Sequence, residues 1–270
     1  MKTRIISGAV LAVVTVAVIL IGGPVLAAVL LLCSLVAMNE LMKALGVITE
    51  EKKFPPVAIA AYVGCVIYYI AVFLGKDVFY GEVAAIVITA IVSMYVLFFG
   101  DTRSEDVTGT VFSFVYSAFM LSFIYLIRAG SYGERYVWMV FASSWIADTC
   151  AYFTGYFLGK HKMAPVLSPK KTIEGAAGGI IGAGLAGLLL AKFLFSGNYM
   201  WQCFLICAVG AMISIVGDLA ASAIKRDRGI KDYGKLIPGH GGIMDRFDSV
   251  IFTAPVIYLL VHLLLRFMNV

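Results

Sequence analysis

Charge is scarce in this sequence. Only 14% of its 270 residues are Asp, Glu, Lys or Arg, whereas 61% are hydrophobic. Soluble domains carry roughly 45–50% apolar residues. The chain is therefore excluded from that class and reads as an all-α polytopic integral membrane protein. No segment is long or polar enough to form a separate soluble domain, and no internal repeat is visible. The five cysteines (Cys33, Cys65, Cys150, Cys203 and Cys207) all lie in apolar runs, and none forms a Cys-x-x-Cys pair. Cys203 and Cys207 share a helical face, but no histidine stands near them to complete a soft-metal site. They are expected to be buried small hydrophobes, with neither disulfides nor zinc. Lys2 and Arg4 precede an apolar run with no clear cleavage site after it, so that run is expected to be a retained first span. No nucleophile–His–acid trio is indicated. The net charge of +5 is modest and its bases are clustered, which marks membrane orientation and not nucleic-acid binding.

Long hydrophobic runs are what the sequence has in abundance. A helix needs about 20 apolar residues to cross the hydrocarbon core. Nine candidate spans follow: Ile5–Ile21, Val25–Met42, Val57–Leu74, Val83–Phe99, Val107–Ile127, Tyr136–Leu158, Ile173–Phe195, Trp201–Ile224 and Ser249–Leu265. Gly22-Gly23-Pro24 is expected to be a tight turn. With the N-terminus in the cytoplasm, 16 of the 21 Lys and Arg residues fall on the cytoplasmic side and 5 on the other. That asymmetry favours this topology and puts the C-terminus outside. Residues 1–135 read as a scaffold of about five helices. Residues 136–270 read as a catalytic half of about four helices, with cytoplasmic loops 159–172 and 225–248. In the scaffold, snorkelling or capping accounts for Asn39 and Glu40, and Asp101, Glu105 and Asp106 read as a solvated loop. Topology accounts for Lys52 and Lys53, although anionic headgroups are a second use for them.

The few charges that exist are concentrated in the second half. Asp148 sits near the middle of the sixth span, where a carboxylate is costly and usually functional. Tyr152, Gly155 and Gly159 share its face. The alternative is a protonated Asp148 bonded to a hydroxyl such as that of Ser144. In the following loop, Lys170 and Lys171 adjoin Thr172, a candidate N-cap, so an anion site at a helix N-terminus is plausible beside a purely topological role. Glu174 falls in the first turn, where the helix dipole favours it. The glycines of the seventh span, Gly175 to Gly187, read first as close helix packing. In the eighth span Asp218, Ser222 and Lys225 share one face, with Asp218 roughly 10 Å below Lys225 at 1.5 Å per residue.

The stretch from Ser222 to Asp248 holds six bases (Lys225, Arg226, Arg228, Lys231, Lys235 and Arg246) and four acids (Asp227, Asp232, Asp245 and Asp248). Asp245 and Asp248 are three apart, so both carboxylates face one way if the ninth helix already begins there. An all-oxygen set of this kind favours Mg²⁺, with Asp218 as a third carboxylate. Salt bridges to Arg246 or Lys225 are the simpler alternative. Gly239-His240-Gly241-Gly242 permits an anion-binding concavity of backbone N–H groups. His240 either meets a phosphate or braces the loop.

This stretch resembles the signature of the phosphatidate cytidylyltransferase family, also called CDP-diacylglycerol synthases. The matching residues are Ser222, Lys225-Arg226, Lys231-Asp232, Gly234, Pro238, His240-Gly241-Gly242, Asp245-Arg246 and Asp248. Ser168-Pro169-Lys170-Lys171-Thr172 with Glu174-Gly175 is a second match, and Asp148 with Ala151-Tyr152 and Gly155 a third. The resemblance implies Mg²⁺-dependent transfer of CMP from CTP to phosphatidate, giving CDP-diacylglycerol and pyrophosphate. It implies an integral protein of a bacterial inner membrane whose active site faces the cytoplasm. In that reading Asp218, Asp245 and Asp248 hold the metal. Lys225, Arg226, Lys231, Lys170 and Lys171 neutralise phosphates, and Ser222, His240, Gly241, Gly242 and Arg246 complete the substrate site. Asp148 binds a second cation or shapes the cavity. CTP, phosphatidate and membrane lipid are the expected partners, nucleic acid is not, and a homodimer is allowed. A transferase acting on polyprenyl phosphates would share the same metal logic. A CDP-alcohol phosphotransferase fits worse, because its Asp-Gly-x-x-Ala-Arg pattern is absent. A cation-coupled transporter would use Asp148 and Asp218 as a relay, but its matched repeats and broken helices are missing.

Overall fold

A computed structural model of the chain describes residues 2–75, 80–239 and 241–267. It is built from helices, as expected: α1 (Lys2–Ile21), α2 (Gly23–Ala44), α3 (Pro56–Leu74), α4 (Tyr80–Leu97), α5 (Ser104–Ala129), α6 (133–158), α7 (Ile173–Leu194), α8 (Met200–Asp227) and α9 (Met244–Phe267). Each expected span falls on one of these helices. Among the described residues seven helices are long and apolar enough to cross a membrane, namely α2 to α5 and α7 to α9. The turn expected at Gly22-Gly23-Pro24 is present, with φ of 64° at Gly22 and 49° at Gly23, values that glycine adopts at no steric cost. Pro24 then stands in the first turn of α2, where a missing N–H costs nothing.

The chain folds into two compact units. The first joins Met1–Tyr125 to Arg228–Arg246, and the second joins Leu126–Asp227 to Phe247–Val270. The stretch 228–246 thus packs with the first five helices, a grouping different from the halves 1–135 and 136–270 drawn on the sequence. In the first unit the core is aromatic and hydroxyl-bearing. Tyr69 and Ser34 hydroxyls lie 2.7 Å apart, and those of Tyr68 and Ser122 lie 2.8 Å apart. Such pairs satisfy polar groups that lipid cannot. Asp106 does not belong to a solvated loop: it is buried, accepts the Arg103 N–H at 3.1 Å and so starts α5, and it pairs with Lys52 at 3.5 Å.

In the second unit the glycines of α7 set the packing, as expected. A Cβ at Gly178 would lie 2.2 Å from Thr154 Oγ1 of α6, and one at Gly187 would lie 2.4 Å from Cys203 O of α8. Only hydrogen at these positions lets the helices approach so closely. Helix α6 is interrupted by a π-helical turn over Ala142–Ile146, immediately before Asp148; such turns are frequent at functional sites. The cysteines are free, with Cys65, Cys203 and Cys207 buried.

Two boundaries differ from expectation. Residues 159–172 are not an irregular loop but carry an antiparallel hairpin, β1 (Lys162–Ala164) and β2 (Ser168–Thr172), in which Lys162 pairs with Thr172 and Ala164 with Ser168. Among the described residues of the stretch 225–248, only 228–239 and 241–243 are loop. Helix α8 runs on through Lys225 and Arg226 to Asp227, and α9 already begins at Met244. Charged residues at helix ends carry little apolar signal, so hydropathy cut both helices short.

Candidate functional site

Helices α6 and α7 and the hairpin between them enclose a cavity of about 530 Å³. Its lining includes Asp148, Tyr152, Lys162, Lys170 and Lys171, with Gly155 and Gly175 at the helix crossing. The face predicted for Asp148, Tyr152 and Gly155 is therefore the one that meets this space. Ser144, the hydroxyl offered as a partner for Asp148, donates instead to Val140 O at 2.9 Å. Thr172 is the N-cap of α7, as expected, and its Oγ1 accepts the Gly175 N–H at 3.1 Å. The cap fixes where β2 ends and α7 begins, and with it the adjacent lysines.

Lys171 forms an ion pair with Asp218 of α8. The two side chains are 24% and 28% exposed. Asp218, expected as a third carboxylate for the metal, thus has a partner from the very pair of lysines expected to bind phosphate. Asp248 of α9 is buried, accepts its neighbour's N–H from Ser249 at 2.8 Å, and interacts electrostatically with Asp218, Lys225 and Asp148. Gly217 makes this possible: a Cβ there would lie 2.8 Å from Asp248 O and 2.9 Å from Phe252 Cβ. The room it opens is filled by α9. In the second unit, then, Asp148, Lys170 and Lys171 line one cavity, Lys171 pairs with Asp218, and Asp248 interacts with Asp218, Lys225 and Asp148. Ser222 is half-buried on α8, and Arg226 is exposed near its end.

The remaining expected residues lie on the stretch packed with the first unit. Asp245 is buried at the start of α9, and its Oδ2 accepts N–H groups from Tyr233 at 2.8 Å and Gly242 at 3.0 Å. Gly241, with φ of 86°, turns the chain tightly beside that carboxylate; a Cβ there would lie 2.6 Å from Asp245 Oδ2. Arg246 is half-buried, and its buried Nε has no acceptor among the described residues. Lys231 is exposed. His240 lies outside the described residues.

The sequence pattern of the cytidylyltransferase family matches residues 2–264. The chain belongs to that family. Among curated relatives, the phosphatidate cytidylyltransferase of Staphylococcus epidermidis is 42% identical over 157 residues, covering 55% of this chain and 60% of that protein. Those of Staphylococcus saprophyticus and Staphylococcus aureus are 40% and 38% identical over the same length. The match thus spans about 60% of the length of these relatives.

The donor chemistry suits a hard divalent cation. Among the described residues no group of three or more His, Cys, Asp or Glu is assembled as a metal cage. Asp218 and Asp248 are instead two carboxylates beside lysines. Mg²⁺ usually takes one or two carboxylates and completes its shell with waters and substrate phosphates, so the residues fit it.

The roles of two residues escaped the sequence reading, Glu174 in the second unit and Glu40 in the first. Glu174 does more than favour a helix dipole. It accepts N–H groups from Lys160 at 3.0 Å and His161 at 3.2 Å and meets His161 Nδ1 at 2.6 Å, fastening the base of the hairpin. Glu40 does not snorkel. It is buried at the end of α2 and accepts N–H groups from Ile243 and Met244. Capping was the right chemistry, applied to a helix some 200 residues away. A lone acid near the end of an apolar span is a signal for burial with partners, but it does not name them.

Proposed function

We propose that the chain transfers CMP from CTP to phosphatidate at the cytoplasmic face of the membrane, giving CDP-diacylglycerol and pyrophosphate with Mg²⁺. The observation that carries this reading is the 530 Å³ cavity of the second unit, where three lysines and the carboxylate of Asp148 line a space between apolar helices. Such a space suits a reactant with a phosphate head and hydrocarbon tails. Family membership and the names of the relatives support it further.

In this reading a phosphatidate phosphate oxygen attacks the α-phosphorus of CTP, and the bond to the β-phosphate oxygen breaks to release pyrophosphate. A phosphate monoester is largely dianionic at pH 7, its second pKa being about 6, so no strong general base is required. The obstacle is the approach of two polyanions, which positioned cations relieve. Lys170 and Lys171 supply positive charge at the cavity wall, and Lys225 and Arg226 supply it at the end of α8. Asp218 and Asp248 are the carboxylates that would hold Mg²⁺, and Asp245 keeps its expected role as a ligand. The cation when bound neutralises phosphate oxygens and orients them for in-line displacement. Were Asp218 to hold a cation, Lys171 would be left to meet a phosphate. Asp148 keeps the cavity floor polar. Lys231, His240, Gly241, Gly242 and Arg246 are assigned to phosphate binding; the Nε of Arg246 suits that task.

The test is pyrophosphate release by the purified protein in detergent with CTP, phosphatidate and Mg²⁺, comparing wild type with Asp248→Asn. Release that needs both substrates and falls at least about 100-fold in the variant is expected, in the range typical of lost electrostatic stabilisation. Equal rates in the two proteins would remove Asp248 from the mechanism. Turnover of undecaprenyl phosphate without phosphatidate would move the reading to a polyprenyl phosphate transferase.

A further inference from the structure

Glu40 is a buried carboxylate, 6% exposed, that the proposed chemistry does not use. Its Oε1 accepts the Ile243 N–H at 3.2 Å and its Oε2 accepts the Met244 N–H at 2.9 Å. The first N–H groups of a helix have no partner within it and are ordinarily satisfied by a Ser, Thr, Asp or Asn just before the first turn. Helix α9 has Ile243 in that place, whose side chain carries no acceptor. The cap is supplied instead by another helix. The fit is tight: a Cβ at Gly242 would lie 2.2 Å from Oε1 and 2.3 Å from Oε2, and one at Gly234 would lie 2.3 Å from Oε1. The carboxylate therefore lies flat against two bare backbone segments. Asp245 Oδ2 takes the Tyr233 and Gly242 N–H groups on the same stretch. Four backbone donors between residues 233 and 244 are thus held by two buried acids.

We propose that Glu40 is a positioning residue of the nucleotidyl-transfer machinery. It fixes the backbone of Gly242, Ile243 and Met244, and thereby the axial position and rotation at which α9 starts. This rests on the proposed function, because it matters to catalysis only if the acids on α9 do. The first two turns of that helix carry Asp245, Arg246 and Asp248. A shift of one residue in its start turns every one of them by about 100°. A serine at 243 would cap the helix equally well but would not tie it to α2.

The test combines hydrogen–deuterium exchange with kinetics, on the full chain in detergent, for wild type, Glu40→Gln and Glu40→Ala. Gln keeps one acceptor oxygen and Ala keeps none, so the two should fall in order. Expected is exchange across residues 233–246 faster by about tenfold or more in Glu40→Ala and by a smaller factor in Glu40→Gln, as the loss of bonds to a charged acceptor implies. The kcat for CTP-dependent pyrophosphate release should fall in the same order, and half-saturating Mg²⁺ should rise. A purely stabilising role would lower Tm and leave kcat per folded molecule and the Mg²⁺ requirement unchanged. Unchanged exchange, or faster exchange with unchanged kcat and Mg²⁺ requirement, overturns the proposal. If Glu40→Ala does not fold, Gly242→Ala replaces it, since the added methyl intrudes on the carboxylate. A wild type that releases no pyrophosphate rejects the proposed function, while the exchange data still judge the pin.

Discussion

The ion pair between Lys171 and Asp218 allows the site to be probed without substrate. It joins the end of β2 to the middle of α8, and both side chains are about three-quarters buried. At about 4 Å and an effective dielectric near 20, opposite unit charges attract by roughly 4 kcal/mol. Desolvation and side-chain ordering offset much of this, and a hydrogen bond to a charged group nets about 1.5–3 kcal/mol. For a chain of this size about 1 kcal/mol moves Tm by roughly 2–4 °C. Lys171→Ala or Asp218→Ala should therefore each lower Tm in detergent by about 3–12 °C. Because each leaves one charge without its partner, the double variant should cost less than the sum of the two. The thermodynamic cycle should give a coupling of about 1–3 kcal/mol.

Activity separates this pair from an ordinary structural bridge. Exchanging the partners, with Lys171→Asp and Asp218→Lys together, should recover most of the stability lost by either single change. It should not recover pyrophosphate release, because a carboxylate then stands where a phosphate needs a cation. A bridge that served packing alone would regain both. A coupling below about 0.5 kcal/mol, or an active exchanged variant, would refute the reasoning that this lysine alternates between carboxylate and phosphate.

Glu174→Gln weakens the bonds that hold Lys160 and His161, so tryptic cleavage at Lys160 and Lys162 should accelerate by about tenfold, read by mass spectrometry of the folded protein. Thr172→Val removes the acceptor for the Gly175 N–H, which should cost about 1 kcal/mol and lower Tm by roughly 2–4 °C in a thermal melt. Chelation with EDTA should abolish pyrophosphate release and added Mg²⁺ should restore it; release undiminished by EDTA would exclude the metal role of Asp218 and Asp248.

Much of the fold was legible because lipid imposes a simple rule. A backbone inside the bilayer must satisfy itself, so apolar runs become helices, and each of the nine runs does. The α6/α7 crossing was legible for a related reason, since glycines spaced along one face have few uses besides close approach. Boundaries failed where charge enters a helix: Lys225 and Arg226 continue α8, and Asp245 starts α9. The hairpin was missed because Pro165 and Pro169 read as loop, whereas proline is tolerated in a two-stranded ribbon where its missing N–H breaks no ladder bond.

Which acids serve chemistry and which serve architecture was harder to read, and Glu40, Asp245 and Asp248 show why. All three are buried carboxylates, and hydropathy ranks them alike. Burial must be offset by donors, and the donors differ. Glu40 and Asp245 are supplied by backbone N–H groups, which only proline at the donor position would remove. Asp248 takes one N–H from its own turn and otherwise faces charged side chains, among them Asp218 and Lys225. A carboxylate fixed by backbone has its place set by the fold, and Asp245 would serve as a ligand only from that place. One balanced against mobile lysines and a second carboxylate can exchange those partners for a cation or a phosphate. Sequence spacing gave Asp245 and Asp248 the same face of one helix, but only the identity of their donors tells them apart. That difference leads us to expect Asp248→Asn to act on turnover and Glu40→Ala to act first on backbone exchange.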